Sequence, residues 1–467
     1  MTGIDDDRLQ TCLQVLSEVE SLPDDHPHAV AVRRATAGIF KAVRKQRKAA
    51  KRAAELAADR AVIAATATGS PQRIDDETRG IPLVSATPGA TAGTLIRAGA
   101  CYVCKQRYTA VDAFYHQLCP ACATVNRAKR DAGADLTGRA ALLTGGRAKI
   151  GMYIALRLLR DGAHTTITTR FPADAVRRFT AEHDSADWLH RLRVVGIDLR
   201  DPAQVVGLAD LLCAAGPLDI LINNAAQTVR RSSAAYAPLL AAESAPLPSG
   251  PLPELVSLGR ADRAHPAAIT GMVTAEHQLA AMDIARKALT AGTADGIDAG
   301  GLVPDPHAVN SWTHKVHDVD PVELLEVQLC NQTAPFILVS RLREAMRRSP
   351  ARRKYVVNVS AMEGVFARGY KGAGHPHTNM AKAALNMLTR TSAEDLYRDG
   401  ILMTAVDTGW ITDERPAPTK ERLATEGFHA PLDLVDGAAR VYDPIVRGEA
   451  GEDLYGVFLK DFQPAAW

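Results

Sequence analysis

From residue 136 onward the chain alternates short apolar runs with segments of helix length. Apolar runs of this kind, separated by helix-length segments, are typical of strands in a parallel sheet that helices cover on both faces. The pattern therefore predicts an α/β fold with a doubly wound parallel sheet. The runs predicted to be strands are 140–144, 164–169, 193–198, 220–223, 355–359 and 401–406.

The residues before this region differ in composition and in the pattern of apolar positions. Residues 1–65 show no strand-like alternation, and 41–60 are dense in Ala, Lys and Arg, which favour helix. This charged stretch indicates either a solvated helix or a surface for an acidic partner. A composition rich in Thr, Gly, Ala and Pro follows and predicts a linker. The predicted division is a helical segment (1–65), a linker (66–98), a four-cysteine module (99–133) and an α/β domain (134–467).

One interval interrupts the alternation of strands and helices. Between Asn224 and the helix predicted near Pro321, the chain is rich in Ala, Pro and Gly. Loops of such length are usually functional lids or insertions with structure of their own. We therefore expect an insertion at about 227–320 that covers a substrate, with a helix near 274–289.

The composition is that of an ordinary globular protein, with 46% hydrophobic and 23% charged residues and a formal net charge of +2. This charge balance argues against a nucleic-acid partner, which requires a strongly basic surface. No run of eighteen apolar residues occurs, so we expect no membrane span. The acidic N-terminus lacks the apolar core of a secretory signal, and we therefore expect a cytoplasmic protein.

Four of the seven cysteines are clustered, and their spacing indicates a metal site. Cys101 and Cys104 form one CxxC pair, and Cys119 and Cys122 form a second pair after fourteen intervening residues. Four thiolates on one ion close a tetrahedral zinc site with no open position. We predict a structural zinc ion that clasps the N-terminal segment to the α/β domain, with His116 as an alternative ligand for one cysteine.

Glycines lie between the first predicted strand and the helix that follows it. The segment reads Ala140-Ala-Leu-Leu-Thr-Gly-Gly-Arg-Ala-Lys-Ile-Gly151. Glycine permits a tight turn and lets a pyrophosphate approach the N–H groups at the start of a helix. The position between strand and helix favours a dinucleotide site over a simple turn.

This turn and later motifs resemble the short-chain dehydrogenase/reductase family. The turn is similar to the TGxxxGxG motif, and Asn223-Asn-Ala-Ala226 is similar to the NNAG motif. Asp198 looks like the acidic position that contacts adenine, and Asp407-Thr-Gly-Trp410 stands where the family has a Pro-Gly turn beside the nicotinamide. The cofactor-binding positions that the resemblance implies are Thr144, Gly145, Gly146, Arg147, Lys149, Ile150, Gly151, Arg170, Asp198, Leu199, Asn224, Ala225, Lys382, Thr408, Gly409 and Ile411.

Arg170 indicates the type of dinucleotide. It ends the second predicted strand, where an acidic residue would bind the ribose 2′-hydroxyl of NAD and an arginine accommodates the 2′-phosphate of NADP. Arg147 adds positive charge, as does Lys149, which occupies the family's middle glycine position. We therefore predict NADP(H) as the cofactor; the alternative is that Arg170 merely caps a surface strand.

The catalytic positions depart from the family pattern. Lys382 matches the lysine of the YxxxK pair and Asn331 matches the helix asparagine, but Thr378 stands in place of the tyrosine. The serine position carries Ala361, next to Ser360. A phenol has a pKa near 10 that a neighbouring ammonium lowers, whereas an aliphatic hydroxyl lies far above that range. Thr378 is therefore expected to hold or relay a proton rather than donate it.

Other side chains are candidates for proton transfer. Tyr370, His375 and His377 lie close in sequence, and histidine is suited to acid–base work near neutral pH. Glu363 is a further candidate, and the alternative is that the histidines belong to a rigid loop without chemistry. In the insertion, Trp312, His314 and His317 lie either at the site or on the surface.

Three functions are compatible with these features. The first is an NADP(H)-dependent oxidoreductase that acts on a small molecule with an unusual proton donor. The second is an enzyme that uses bound cofactor for a net non-redox step. The third is a degenerate dehydrogenase that binds NADP(H) as a sensor or scaffold. The resemblance also implies a homo-oligomer, paired through the helices that carry Asn331 and Lys382.

Overall fold

A computed structural model describes residues 3–73, 85–87, 89–231, 233–258, 300–304 and 307–467. The helix expected at 274–289 lies outside these residues. The strands are β1 (Thr91–Ala100), β2 (Arg107–Asp112), β3 (Ala140–Leu143), β4 (His164–Thr169), β5 (Leu192–Gly196), β6 (Ile220–Asn223), β7 (Glu254–Ser257), β8 (Lys354–Ser360), β9 (Ile401–Asp407), β10 (Phe458–Lys460) and β11 (Gln463–Ala465).

The α-helices of the described residues cover both faces of the sheet and form the N-terminal segment. They are α1 (Asp6–Glu20), α2 (Pro27–Ala64), α3 (Pro120–Asp131), α4 (Lys149–Arg160), α5 (Pro172–Thr180), α6 (Pro202–Ala215), α7 (Ala237–Glu243), α8 (Pro321–Gln328), α9 (Ala334–Arg347), α10 (Pro376–Tyr397), α11 (Ala417–Thr425) and α12 (Leu434–Glu449).

The main sheet has nine strands in the order β11-β10-β9-β8-β6-β3-β4-β5-β7. Every pair is parallel except the terminal hairpin β10–β11. The fold is therefore a doubly wound, Rossmann-type α/β sheet, as predicted. Chain order reverses between β3 and β6, so the loops at their carboxyl ends diverge and leave a crevice where ligands bind in such sheets.

Two apolar cores hold this sheet between helix layers. On one face, side chains such as Ile154 of α4 and Ile445 of α12 pack against β3 and β6. On the other face, Leu208 of α6 and Leu342 of α9 pack against β6 and β8. The central strands are buried on both faces, which explains why they read as continuous apolar runs.

The cysteine module is a small separate layer docked on α12. Its sheet pairs β1 with β2 in antiparallel fashion, and α2 packs against β1. Helix α3 packs on α12, where Arg130 binds Asp433 and Lys129 binds Asp443. Strand β1 begins inside the stretch expected to be a linker (66–98). The linker expectation differs from the structure because β1 is stabilised by pairing across the chain, which composition does not reveal.

Part of the expected insertion also belongs to the sheet. Strand β7 lies within 227–320 and pairs in parallel with β5, so it extends the sheet by one edge strand. Edge strands carry less apolar sequence than central ones, and β7 is largely exposed. Strand β7 therefore lacks the continuous apolar run by which the sequence predicts a buried strand. Among the described residues, no helix has both the length and the apolar character needed to cross a membrane.

Candidate functional site

The turn between β3 and α4 brings its own backbone, the start of α4 and strand β4 into close contact. Gly145 has a φ of +71°, which favours glycine. A Cβ on Gly151 would lie 2.0 Å from the Gly145 carbonyl oxygen, and one on Gly146 would lie 2.6 Å from Ile167. Glycine is therefore required at these positions to bring the start of α4 against the strand.

Lys149 adopts an unusual conformation in this turn. Its φ is +54°, in the left-handed region where glycine is favoured over residues with a Cβ. Ala148, which precedes α4, gives no side-chain cap to the helix. The first turn therefore has no side chain of the N-cap residue between its N–H groups and the space in front of the helix, where an anion can bind. The lysine keeps the backbone geometry expected of the glycine that it replaces.

The segment Asn223–Ala226, which begins at the last residue of β6, is tied to the turn by hydrogen bonds. The Asn224 amide Nδ2 donates to the carbonyl oxygens of Thr144 and Gly145, at 3.0 and 3.1 Å. The backbone N–H groups of Asn224 and Ala225 both donate to Thr144 Oγ1, at 3.0 Å. Thr144 is buried, so its role is to hold the two loops together at the point where the chain order reverses.

A cavity of about 390 Å³ opens in front of this turn, at the carboxyl ends of β3, β4, β5 and β6. Basic side chains outnumber acidic ones on its wall, so the cavity suits an anionic ligand. The charged lining residues are Arg147, Lys149, Arg170, Arg200, Arg231, Asp198 and Glu414. The predicted cofactor positions that line it are Gly145, Arg147, Lys149, Ile150, Gly151, Arg170, Asp198, Leu199, Asn224, Ala225 and Ile411.

Arg170 extends from the end of β4 into this cavity wall. Its Nη2 donates to the Tyr236 hydroxyl at 3.1 Å, and the guanidinium stacks 4.8 Å from the Tyr236 ring centre. No carboxylate among the described residues forms an ion pair with Arg170. The charge of Asp198 reaches Arg170, but that carboxylate is already bound by Arg200. Arg170 is therefore a positioned cation whose charge is left for a ligand.

Two of the other three arginines of the wall, Arg147 and Arg200, are bound to carboxylates. Arg147 binds Asp174 at 2.5 Å. Arg200 donates through Nε and Nη2 to both oxygens of Asp198. Burial raises the pKa of the Asp198 carboxyl, but the hydrogen bonds and charge of Arg200 outweigh it and the pKa lies below its usual value. Asp198 thus lines the cavity with its charge already paired with Arg200.

The loop after β9 forms the far wall of the cavity. Gly409 has a φ of +78°, and a Cβ there would lie 2.6 Å from Leu432. Ile411 and Thr412 line the cavity, whereas Thr408 and Gly409 are not among its lining residues. The predicted positions Thr408 and Gly409 therefore shape the loop and do not form the cavity surface.

Asn331 lies in a π-helical turn, Leu329–Thr333, between α8 and α9. Its side chain accepts from the Gln227 N–H at 2.7 Å and donates to the Gln227 carbonyl at 3.0 Å. π turns of this kind often occur at functional sites. Asn331 therefore fixes the loop that follows β6 by hydrogen bonding directly to the backbone of Gln227.

Lys382 is not among the residues that line the cavity. Its Nζ donates to the Val359 carbonyl oxygen at 2.8 Å, and the side chain is buried. Burial lowers the pKa of Lys382 to about 8. Thr378 lies four residues earlier on the same face of α10, and among the described residues its buried hydroxyl has no hydrogen-bond partner.

His377 faces α8 and is almost completely buried. Its Nε2 lies 3.7 Å from Oε1 of Glu323, which is an ion-pair distance and longer than a hydrogen bond. Burial raises the pKa of Glu323, but His377 and Ser311 outweigh it, so the pKa lies below its usual value. Neither ring nitrogen of His377 has a hydrogen-bond partner within the described residues.

The remaining catalytic candidates lie elsewhere. Ser360 is buried and donates to Asn386 at 2.5 Å, on the side away from the Ala361 position. Tyr370 is 78% exposed, and the structure does not bring it to Lys382. Glu363 lies in a short helical turn where its backbone carbonyl accepts from Lys371. The charge of Glu363 nevertheless reaches Lys382 and His375, so Glu363 lies near the catalytic positions.

The end of the insertion covers the start of α10. Trp312 stacks on His375 with the ring centres 3.9 Å apart, and the His375 N–H donates to the His314 carbonyl. His375 therefore makes a packing contact with the insertion. His317 is exposed beside Asp318. Two of the three insertion residues singled out from the sequence thus lie over the catalytic positions, and the third lies at the surface.

The four clustered cysteines converge as a metal-site candidate. Their Sγ atoms all lie within 4.8 Å of one another, and those of Cys104 and Cys119 are 3.7 Å apart. A zinc–sulfur bond of about 2.3 Å places tetrahedral sulfur atoms roughly 3.8 Å apart, so the set fits zinc. The alternative ligand His116 lies outside the group, because its Nδ1 is 2.8 Å from Thr68 Oγ1.

Several cavity residues carry no sequence motif. Tyr236 lies in the insertion, and nothing in the local sequence connects it to Arg170. Cys330 lines the cavity beside Asn331, and burial raises the pKa of its thiol to about 11. Arg200 follows Asp198 by two residues. This short spacing is the feature of the sequence from which a partner for the Asp198 carboxylate could have been predicted.

Comparisons with known proteins agree with this geometry. The short chain dehydrogenase family model matches residues 139–238. An uncharacterized protein of Acanthamoeba polyphaga mimivirus is 31% identical over 364 residues, which cover 74% of this chain and 71% of that protein. A probable oxidoreductase of Streptomyces antibioticus is 40% identical over 91 residues, which cover 20% of this chain and 30% of that protein.

Solved structures with a similar course of the chain were also found. The NADP complex of Pseudomonas aeruginosa RhlG has a TM-score of 0.43 at 19% identity, covering 70% of this chain and 95% of that chain. NADPH-bound carbonyl reductase from chicken fatty liver has a TM-score of 0.42 at 17% identity, covering 71% of this chain and 100% of that chain.

Proposed function

This chain belongs to the short-chain dehydrogenase/reductase family, and we propose that it is an NADP(H)-dependent oxidoreductase acting on a small molecule. The observation that carries the proposal is Arg170. Its guanidinium is held by Tyr236 at the edge of the glycine turn, without a carboxylate partner in the described part of the chain. A cation in this position is suited to a ribose 2′-phosphate.

The turn fits the rest of a dinucleotide. Gly145 and Gly151 bring the backbone close to the cavity, and the uncapped start of α4 offers N–H groups to a pyrophosphate. Arg170 would hold the 2′-phosphate, and the loop at Ile411 would border the other end of the ligand. When bound, the cofactor supplies or accepts a hydride.

We further propose that His377 takes the role of the missing phenol. It is adjacent to Thr378, it is buried, and Glu323 lies 3.7 Å from its Nε2. A carboxylate at this distance orients the imidazole ring. In this arrangement His377 exchanges the proton, Thr378 relays it towards the substrate, and Glu323 orients the histidine.

Unpartnered polar atoms mark where a substrate or water would lie. Within the described residues, both ring nitrogens of His377, the Thr378 hydroxyl and Oε1 of Glu323 are buried without a hydrogen-bond partner. Buried polar groups are normally paired, because leaving one unpaired costs about 1–3 kcal/mol. Their concentration beside Lys382 supports a polar ligand at this point.

A fluorescence titration with NADPH and NADH tests the cofactor. Arg170→Ala is expected to weaken NADPH binding about 10- to 150-fold, because a charged hydrogen bond contributes about 1.5–3 kcal/mol, while NADH binding changes little. Arg160→Ala is the matched control, since Arg160 lies on the same domain and pairs with Asp184 at the surface. Equal loss of both cofactors in Arg170→Ala would contradict the proposal.

A screen of carbonyl substrates and alcohols, followed by NADPH absorbance, tests the turnover. His377→Gln is expected to lower kcat at least 100-fold with little change in NADPH affinity, because general acid–base catalysis contributes about 10²–10⁴-fold. Tyr370→Phe is the control, because the structure leaves this phenol exposed. Turnover that depends on Tyr370 and not on His377 would refute the assignment.

A second candidate is an NADP(H) sensor. The observation that favours it is the burial of His377 and Thr378 beneath the segment that carries Ser311 and Trp312. A sensor binds NADPH and never oxidises it, so the same absorbance assay separates the two candidates. Tight NADPH binding without turnover on any tested substrate would favour the sensor.

We also propose that the cysteine cluster holds one structural zinc ion. The sulfur spacing supports the zinc site.

We propose in addition that the chain self-associates through α8, α9 and α10. Exposed apolar side chains support the interface; they are Leu325, Phe336, Met380 and Met387. Light scattering should give an oligomer for the wild type and a monomer for Phe336→Glu. A monomeric wild type would refute this arrangement.

A further inference from the structure

The cysteine module does more than clasp the N-terminal segment, because one of its side chains reaches the cavity loop. Tyr102 lies between the metal-ligand candidates Cys101 and Cys104. Its hydroxyl oxygen accepts a hydrogen bond from the Trp410 N–H at 2.9 Å. Trp410 directly precedes Ile411, which lines the cavity. A residue inside the knuckle is therefore one peptide unit away from the wall of the cofactor site.

Tyr102 itself is held firmly by the module. Its backbone N–H donates to the Gln117 carbonyl at 2.8 Å, which connects the two CxxC turns. The ammonium groups of Lys105 and Lys460 lie 5.0 and 5.6 Å from its ring centre. Its position thus depends on both turns that present the cysteines.

Besides side-chain packing, which includes a contact of the Trp410 ring with Phe428 at 5.1 Å, backbone hydrogen bonds hold the loop at this point. Gly409 is in the left-handed region, and Thr408 precedes it, so neither residue restricts the backbone as a proline would. On its outer side the Trp410 carbonyl accepts from the Leu432 N–H at 3.3 Å, a long hydrogen bond. Trp410 is 40% exposed. Tyr102 supplies the shorter of the two hydrogen bonds that hold the Trp410 peptide.

The same surface is packed as well as hydrogen-bonded. Tyr108, Tyr115 and Leu118 of the module form one apolar cluster with Ile411, Leu432 and Leu434, and Ile150 of the glycine turn packs against it. The Tyr115 hydroxyl donates to Asp436 at 2.6 Å. The module therefore contacts both the loop that follows β9 and the start of α4, and both of these line the cavity.

From this contact we propose that Tyr102 is a positioning residue for the dinucleotide site, so that metal binding by the cysteines and cofactor binding are coupled through the loop Asp407–Thr412. The inference rests on the proposed NADP(H) function. Folding of the knuckle around a metal places Tyr102, Tyr102 holds the Trp410 peptide, and the loop then presents Ile411 and Thr412 to the ligand. Coupling of this kind is reciprocal, so the cofactor also stabilises the metal site.

The test compares Tyr102→Phe with Tyr108→Phe. Both changes remove one hydroxyl from the module, but the Tyr108 hydroxyl donates to the His116 carbonyl within the module. Zinc content by atomic absorption should remain one per chain in both. Tyr102→Phe is expected to weaken NADPH binding about 5- to 10-fold, since one hydrogen bond contributes about 1 kcal/mol. Tyr108→Phe should bind within about twofold of wild type.

Amide hydrogen exchange without cofactor gives an independent readout. Peptides that cover 407–412 should exchange faster in Tyr102→Phe than in Tyr108→Phe or wild type. Unchanged exchange together with unchanged NADPH affinity would overturn the inference, and so would an equal effect of both variants. If the wild type binds no dinucleotide, the proposed function fails, while the exchange result still decides whether Tyr102 holds the loop.

Coupling to the metal is measured by the rate at which a chelator removes zinc. NADPH should slow zinc loss from the wild type and should do so less in Tyr102→Phe. An equal effect of NADPH on both proteins would show that Tyr102 does not transmit the coupling.

Discussion

Gly151→Ala tests the geometry of the phosphate-binding turn most directly. The new Cβ would lie 2.0 Å from the Gly145 carbonyl oxygen and 2.8 Å from Nδ2 of Asn224. Carbon–oxygen contacts are usually about 3.3 Å or longer, so the turn must move by more than roughly 1 Å. Both obstructing groups are fixed, because the oxygen is backbone and the amide bonds Thr144 and Gly145.

The magnitude follows from two opposing effects. Alanine gains at most about 1 kcal/mol over glycine in a helix. Forcing an extra carbon into a packed site costs about 1–3 kcal/mol. The overlap at Gly151 is with backbone, so we expect the upper part of this range and a net loss of about 1–2 kcal/mol in the free energy of unfolding. Displacement of the turn should also weaken NADPH binding tenfold or more.

Gly207→Ala is the matched control. Gly207 lies inside α6, and a Cβ there would meet no atom within 4 Å. The same chemical change should therefore stabilise the protein by about 0.5–1 kcal/mol. Denaturant unfolding and NADPH titration are measured on both variants. If Gly151→Ala is as stable as Gly207→Ala and binds NADPH as the wild type does, the close approach of α4 to the Gly145 carbonyl is refuted.

Three further predictions concern Lys149, Lys382 and the metal. Lys149→Gly should relieve about 1 kcal/mol of left-handed backbone strain, so the variant should be no less stable than the wild type. It should also weaken NADPH binding if the lysine contacts phosphate. A clear loss of stability would contradict the strained conformation. Because burial lowers the pKa of Lys382 to about 8, the unfolded chain holds this proton more tightly, and stability should rise between about pH 8 and 10. Lys382→Met should therefore unfold at higher denaturant than the wild type at pH 7, with the difference shrinking towards pH 10; a constant difference would refute this. Zinc removal by a chelator should lower the melting temperature, and Cys119→Ser should lose the metal while Cys12→Ser, at an exposed cysteine of α1, should keep it.

Much of the fold was predictable because it depends on local pattern. The strands β4 and β6 have the bounds that were predicted, β4 from a strand-like run rich in β-branched residues and β6 from an apolar run. The glycine turn and the two CxxC pairs were also predictable from the sequence, because each depends on particular residue types that lie a few positions apart. Lys149 shows the limit of this reading. Its identity breaks the glycine pattern, yet its backbone keeps the left-handed conformation.

Edges and partners were not predictable in this way. Strand β1 was expected to be part of a linker and β7 part of an insertion, since pairing with β2 and β5 decides their conformation. The assignment of Asp198 was incomplete, because the sequence did not show that Arg200 occupies both carboxylate oxygens.

The sequence by itself determined the alternation that forms a doubly wound sheet, the glycine turn before α4, the arginine at the end of β4 and the four-cysteine cluster. Tertiary structure alone decided that Tyr236 holds Arg170, that Glu323 lies beside His377, and that Tyr102 of the cysteine module holds the Trp410 peptide. The reason is distance along the chain. Backbone conformation and ligand spacing are set by neighbouring residues, whereas these contacts join residues 54 to 308 positions apart and arise only when the layers pack.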